Sequence, residues 1–150
     1  MFIVFDLDGT IANVDHRAHI LDEEHASESL KWDAFFDACD GDGVYAEIAV
    51  LFDNLADILR HNKVEIWTGR SERVRKKTER WLRLHLRNYD FNGTTLRMRE
   101  IGDLRADTEI KGEWIAEHGK PHLCFDDRTK MVNWWREQGV ACCQVRNHEY

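Results

Sequence analysis

Short apolar runs alternate along this chain with stretches of helical periodicity. Phe2-Ile3-Val4-Phe5, Lys63 to Trp67, Pro121 to Phe125 and Val140 to Val145 read as strands. The first run has no polar interruption, as expected of a strand covered on both faces. Pro121, the single proline, stands where a strand start tolerates it. Between the strands, Tyr45, Ile48, Leu51, Phe52, Leu55, Ile58 and Leu59 recur at helical spacing. So do Trp81, Leu82 and Leu86, then Ile110, Trp114 and Ile115, then Met131, Val132 and Trp135. Strands alternating with helices predict an α/β fold, a doubly wound (Rossmann-like) parallel sheet. No repeat or low-complexity tract interrupts the 150 residues, which suggest one domain with a proper core.

Ligands in such sheets sit off the carboxyl ends of the strands. Three polar clusters fall at those ends: Asp6 and Asp8, then Thr68-Gly69-Arg70, then Asp126-Asp127. They are expected to converge on one crevice. The segment from about residue 16 to 43 does not fit the alternation and predicts a small, mostly helical cap insertion over that crevice. It holds His16, Arg17, His19 and the run Trp32-Asp33-Ala34-Phe35-Phe36. Its end, Asp40-Gly41-Asp42-Gly43, lacks the remaining ligands of a calcium loop and reads as a turn returning to the core.

Two carboxylates one residue apart at the tip of a buried strand repel each other and are costly to desolvate. A hard divalent cation such as Mg2+ suits them, with Asp6, Asp8, Asp126 and Asp127 as its expected ligands. Phosphoryl transfer needs a nucleophile, charge neutralisation and a proton donor. Asp6 can be the nucleophile, forming an acyl phosphate. Asp8 can protonate the leaving oxygen and then activate water. Thr68 offers a hydroxyl to a phosphoryl oxygen, and Lys111 can offset charge on Asp6 and on the phosphoryl group. Asp107 reads as the N-cap of the helix that carries Lys111, and so supports it.

Charge changes the picture locally. The formal net charge of −7 argues against a general polyanion binder. Yet Arg70, Arg73, Arg75, Lys76, Lys77, Arg80, Arg83 and Arg87 crowd one segment, opposed within it by Glu72 and Glu79. That segment is either a solvated helix face or a track for a strand backbone. The four cysteines, Cys39, Cys124, Cys142 and Cys143, include no Cys-x-x-Cys pair and read as reduced thiols. No apolar stretch approaches the roughly 18 residues of a membrane span, and the first core strand leaves no room for a leader. Cytoplasmic residence is the default expectation, with no membrane association and no protein partner implied. His16 and His19 share a helical face, but the carboxylates already supply a metal site.

The set Asp6-x-Asp8-Gly-Thr, Thr68, Lys111 and Asp126-Asp127 resembles the four motifs of the haloacid dehalogenase superfamily of phosphatases. Further residues resemble the 3′-phosphatase domain of phage polynucleotide kinase/phosphatases. These are Arg17, Arg70 after Thr68-Gly69, Arg99-Glu100-x-Gly102-Asp103-x-Arg105-x-Asp107, Phe125-Asp126-Asp127-Arg128-Thr129, and Trp135-Arg136-x-x-Gly139-Val140-x-Cys142-x-Gln144-Val145. The resemblance covers nearly the whole chain. It implies removal of a 3′-phosphate from DNA or RNA ends, or from 3′-nucleotides. It also implies substrate contacts at Arg17, Gly69 and Arg70; in the cap, Trp32 first, or Phe35 or Phe36, can stack on a terminal base or pack the cap's own small core. No Gly-x-x-x-x-Gly-Lys-Ser/Thr loop is present, so no 5′-kinase activity is expected of this chain. Two other readings stay open: a small-molecule phosphatase such as a 5′-nucleotidase, and a non-catalytic nucleic-acid-binding module.

Overall fold

In the computed structural model, which describes residues 1–58, 63–90 and 94–148, the sheet forms around the first apolar run. β1 (Phe2–Phe5) is its central strand. β2 (Ala12–Asn13), α1 (Asp15–Ala18), α2 (Glu28–Asp37) and β3 (Gly43–Val44) follow, then α3 (Ala46–Ile58). β4 (Lys63–Ser71) and α4 (Arg75–His85) come next, then β5 (Thr95–Arg99) and α5 (Asp107–His118). β6 (Leu123–Asp126), α6 (Thr129–Glu137) and β7 (Ala141–Gln144) complete the order. The five long strands pair in the order β5-β4-β1-β6-β7, each pair parallel. The expected doubly wound α/β sheet is present. Leu59, the last residue of the expected helical pattern, lies outside the described residues.

Alternation within β1 explains why its run is wholly apolar. Ile3 and Phe5 enter one cluster, with Phe52 of α3 and Leu82 of α4. Phe2 and Val4 enter the other, with Trp67, Val132 and Trp135. Burying one such side chain contributes roughly 1.5–3 kcal/mol, whereas an uncompensated buried charge costs several kcal/mol. Acids at the strand tips are therefore tolerable only with partners, and they have them.

Two strands depart from the expectation. β4 runs on through Thr68, Gly69 and Arg70, with a register irregularity against β5 between Trp67 and Ser71. β5 has no apolar run: Leu96 and Met98 face the core while Arg97 and Arg99 alternate with them.

Residues 15–42 lie between the two-residue strands β2 and β3, which pair antiparallel and form the neck of the insertion. Ser27 caps α2 by accepting from the Leu30 N–H at 3.3 Å. The rings of Trp32, Phe35 and Phe36 pack on one another at centroid separations of 5.7–5.8 Å. α2 is tied to the chain around the start of α4: Arg73, just before that helix, pairs with Asp33 (3.2 Å) and Asp37 (3.0 Å), and Lys77 within it donates to the Asp37 carbonyl at 2.6 Å. Much of the basic segment is thus paired with acids, some within it and some outside: Arg75 pairs with Glu72 and Glu79, Arg83 with Asp90 and Arg87 with Asp57. No described helix is long and apolar enough to cross a membrane.

Candidate active site

Parallel pairing puts the polar clusters side by side. Phe5 is in register with Ile66 on one side and Phe125 on the other. The Asp6 N–H donates to the Phe125 carbonyl at 2.9 Å, so Asp6 leaves the sheet beside Asp126. Asp6, Asp126 and Asp127 are all buried, and each offers a carboxylate oxygen within 4.8 Å of the others. Lys111 reaches them from the first turns of α5. Its Nζ donates to Asp6 Oδ1 at 2.7 Å and to Asp126 Oδ2 at 3.3 Å.

Three buried acids against one touching lysine leave the group short of positive charge. Burial pushes the Asp6 carboxyl well above its usual range, against the opposing pull of Lys111, and Asp126 and Asp127 add to the rise. Burial, with Asp126 next to it, pushes Asp127 up to about 7. Lys111, though fully desolvated, is held charged by Asp6 and Asp126. A divalent cation fits this cluster, because it favours the ionised form of every acid that the fold has forced together. The all-oxygen donor set suits a hard ion such as Mg2+.

Asp8, also expected among the metal ligands, lies outside the cluster of Asp6, Asp126 and Asp127. Its carboxylate is taken by two guanidinium groups. Arg70 donates to Asp8 Oδ1 through Nε (2.9 Å) and Nη2 (2.5 Å), and Arg17 donates to the same oxygen at 2.7 Å. Burial works to raise the Asp8 pKa, but Arg70 and Arg17 outweigh it and hold the carboxyl below its usual value. Both arginines also bond Asp42, Arg17 at 2.6 and 2.8 Å and Arg70 at 2.5 Å. Arg17 further donates to the Phe35 carbonyl at 3.1 Å and lies 4.0 Å over the Phe35 ring. Arg17 and Arg70 are each 0% exposed. Expected to contact substrate, they are enclosed here in a four-ion unit with Asp8 and Asp42. Asp42, read in the sequence as part of a turn, is the acid that completes the unit.

A cavity of about 580 Å³ opens over Asp6 and Asp8. Thr68 and Gly69 of β4 line it, as do Trp32 and Phe36 of the cap. The Arg70 N–H donates to Thr68 Oγ1 at 3.2 Å, so the hydroxyl proton is available to a ligand. Gly69 is required by a close approach: a Cβ there would lie 2.8 Å from Asp107 Oδ1. Gly9, at φ +78°, is required twice, because a Cβ would also run into the Asp127 carboxylate.

Asp107 corrects another expectation. The N-cap of α5 is Ala106, whose N–H donates to the Glu109 side chain at 3.1 Å, and Asp107 is the first helical residue. Its carboxylate is occupied by Arg99 and Arg128, and although burial opposes them, these cations with Lys111 bring its pKa down to about 2. Asp107 therefore fixes two arginines that line the cavity wall. Arg128 and Arg99 were visible in the sequence only as parts of the resemblance, without roles. Arg105 and Lys130 also line the cavity.

A family model described as the polynucleotide kinase PNKP phosphatase domain matches residues 1–150. Among solved structures, the chain is similar to a chain of a Pnkp1/Rnl/Hen1 RNA repair complex. The identity is 27% and the TM-score 0.71, over 99% of this chain and 43% of that one. This chain thus spans less than half the length of that relative. It shares its fold with a class C acid phosphatase from Bacillus anthracis determined with tungstate bound. There the identity is 14% and the TM-score 0.59, with 99% and 67% of the chains covered. It also shares its fold with a HAD family enzyme from Bacteroides thetaiotaomicron determined as a magnesium complex, at 13% identity and TM-score 0.57, with 99% and 94% covered. The family match runs through the strand-end acids, Thr68 and Lys111 alike, and the chain belongs to the phosphatase-domain family of polynucleotide kinase PNKP, a phosphatase family of the haloacid dehalogenase type.

Proposed function

We propose that this chain is a magnesium-dependent phosphatase that removes 3′-phosphates from DNA or RNA ends, or from 3′-nucleotides, through a phosphorylated Asp6. The observation that carries the chemistry is the placing of two carboxylates in opposite electrostatic surroundings on one cavity floor. Asp6 sits among acids and a lysine, while Asp8 is bound by two arginines. On their own these surroundings favour the protonated form of Asp6; a divalent cation on Asp6, Asp126 and Asp127 would favour its ionised form, the one a nucleophile needs, and leave Asp8 to handle protons.

Asp6, Asp126 and Asp127 would hold Mg2+, which when bound would neutralise charge on the transferred phosphoryl group and keep Asp6 ionised. An Asp6 oxygen attacks phosphorus and the bond to the 3′-oxygen breaks. Lys111 Nζ and the Thr68 hydroxyl donate to the phosphoryl oxygens. Asp8 rests ionised, and the charge of an entering phosphate raises its proton affinity, so it can carry a proton to the leaving 3′-oxygen. It is then a free base again and takes a proton from water as that water attacks phosphorus. The Asp6–phosphorus bond breaks, and inorganic phosphate leaves.

The substrate class is supported by the likeness to a chain of an RNA repair complex. It is also supported by the cavity itself, whose lining includes arginines, Lys130 and Trp32. Arginine suits bidentate phosphate contact, and an aromatic face suits a base. The test is phosphate release, with Mg2+ and with chelator, from matched 3′- and 5′-phosphorylated oligonucleotides and the corresponding mononucleotides, with Asp6→Asn as control. Release confined to 3′-phosphates is expected. Release confined to 5′-mononucleotides would make the chain a nucleotidase, and tight oligonucleotide binding without release a binding module.

A further inference from the structure

We propose that His148, in the tail after β7, is a positioning residue for the metal site: it holds the Asp127 carboxylate and so sets the affinity for the divalent cation. The inference rests on the reading of Asp6, Asp126 and Asp127 as the metal ligands.

His148 lies 21 residues beyond Asp127, yet its Nδ1 stands 3.2 Å from Asp127 Oδ2. The other oxygen, Oδ1, accepts from the Thr10 hydroxyl at 3.3 Å. Asp127 is thus held from two sides, by the loop that follows β1 and by the tail. A carboxylate has about four acceptor sites, so one bond to each oxygen leaves both able to face a cation.

The three residues before His148 fasten the tail. Val145 continues the sheet by donating its N–H to the Asp126 carbonyl at 3.1 Å. Asn147 accepts from Thr129 Oγ1 at 2.8 Å and from Gln144 Nε2 at 3.3 Å. Arg146 lies 3.7 Å over the Tyr45 ring and pairs with Glu47. The Tyr45 ring in turn faces His148 at a centroid separation of 6.3 Å, and its hydroxyl lies 3.5 Å from Nε2. With Nδ1 protonated the ring donates to Asp127, while Nε2 faces the Tyr45 hydroxyl and, at 3.8 Å, Asp15 Oδ1. The arrangement has the form of an outer-sphere group that orients a ligating carboxylate, reached here from a tail rather than from a motif. Loss of such a partner typically lowers metal affinity 10–100-fold.

The test is calorimetric titration of the metal-free protein with Mg2+, read beside the thermal unfolding midpoint without metal. His148→Ala is expected to weaken binding by roughly 10–100-fold, with His148→Gln, whose amide can still donate, recovering part of it. The unfolding midpoint of the metal-free protein should move little. Affinity unchanged in His148→Ala would overturn the proposal while leaving the three-acid site intact. So would a loss that Gln does not relieve and that follows a fall in the midpoint, since that is a packing effect. Asp127→Asn separates the two layers: if it binds Mg2+ as the unaltered protein does, the metal-site reading itself fails, and the role of His148 with it.

Discussion

Arg70 engages Asp8 through two of its nitrogens at once, Nε at 2.9 Å and Nη2 at 2.5 Å, with both side chains enclosed. A planar guanidinium fixes the carboxylate's orientation in a way that an ammonium does not. Arg17 and Asp42 close the unit. The acid/base group of the proposed reaction is therefore oriented before any substrate arrives.

Removing Arg17 should consequently act through Asp8 and not through substrate choice. Arg17→Ala leaves Asp8 and Asp42 short of a partner in the interior. Breaking a buried pair costs about 3–5 kcal/mol, which thermal unfolding would show. Hydrolysis of an aryl phosphate and of a 3′-phosphorylated oligonucleotide should fall together. A loss confined to the oligonucleotide would instead give Arg17 the substrate contact that the sequence suggested.

Trp32 should behave in the opposite way. It lines the cavity and is not fully enclosed. Base–aromatic stacking contributes about 1–3 kcal/mol. Trp32→Ala should therefore raise KM for an oligonucleotide roughly 5–150-fold by that energy, with kcat/KM for an aryl phosphate little changed. Equal losses on both substrates would make Trp32 a packing residue of the cap.

The pH dependence of the metal-free protein follows from Asp127. Its carboxyl is raised from an ordinary 3.8 to about 7, so the fold favours its protonated form. That contribution is fully present below about pH 4 and is lost as pH rises through 7. In chelator, stability should drop between pH 5 and 8 by an amount that Asp127→Asn reduces, and Mg2+ should restore most of it at pH 8. Chelated protein that is as stable at pH 8 as at pH 5, with no effect of Asp127→Asn, would contradict the site.

Much of the fold was legible because its strands are short apolar runs that end in chemistry: Phe2 to Phe5 before Asp6, and the run through Phe125 before Asp126. β5 was not, because Arg97 and Arg99 occupy its alternate positions and Arg97 answers Glu65, which is buried on the neighbouring strand. The broken alternation over residues 16–43 marked a departure from the strand–helix order, but the β2–β3 pairing beside it was hidden, since these strands have two residues each. The meaning of Asp42 was hidden by distance: its partners Arg17 and Arg70 lie 25 and 28 residues away. The same holds for the basic segment. Composition suggested a free cationic face, whereas Asp33, Asp37, Asp57 and Asp90 fold back to pair with it.

That pairing carries its own consequence for nucleic-acid contact. A bound strand should lean on the cavity wall and not on α4, so Lys130→Ala should lower the salt dependence of oligonucleotide binding more than Arg83→Ala does. Fluorescence anisotropy across a salt series would decide it, and a larger change for Arg83→Ala would move the strand onto α4.

The most direct test of the central claim is label transfer. A 3′-phosphorylated oligonucleotide carrying radioactive phosphate is mixed with the protein and Mg2+, quenched in acid within one turnover, and the protein mapped by peptide. Label on Asp6, absent from Asp6→Asn and removed by hydroxylamine, is the expected result. Phosphate released at full rate with no label on the protein at any quench time, or undiminished release by Asp6→Asn, would contradict it.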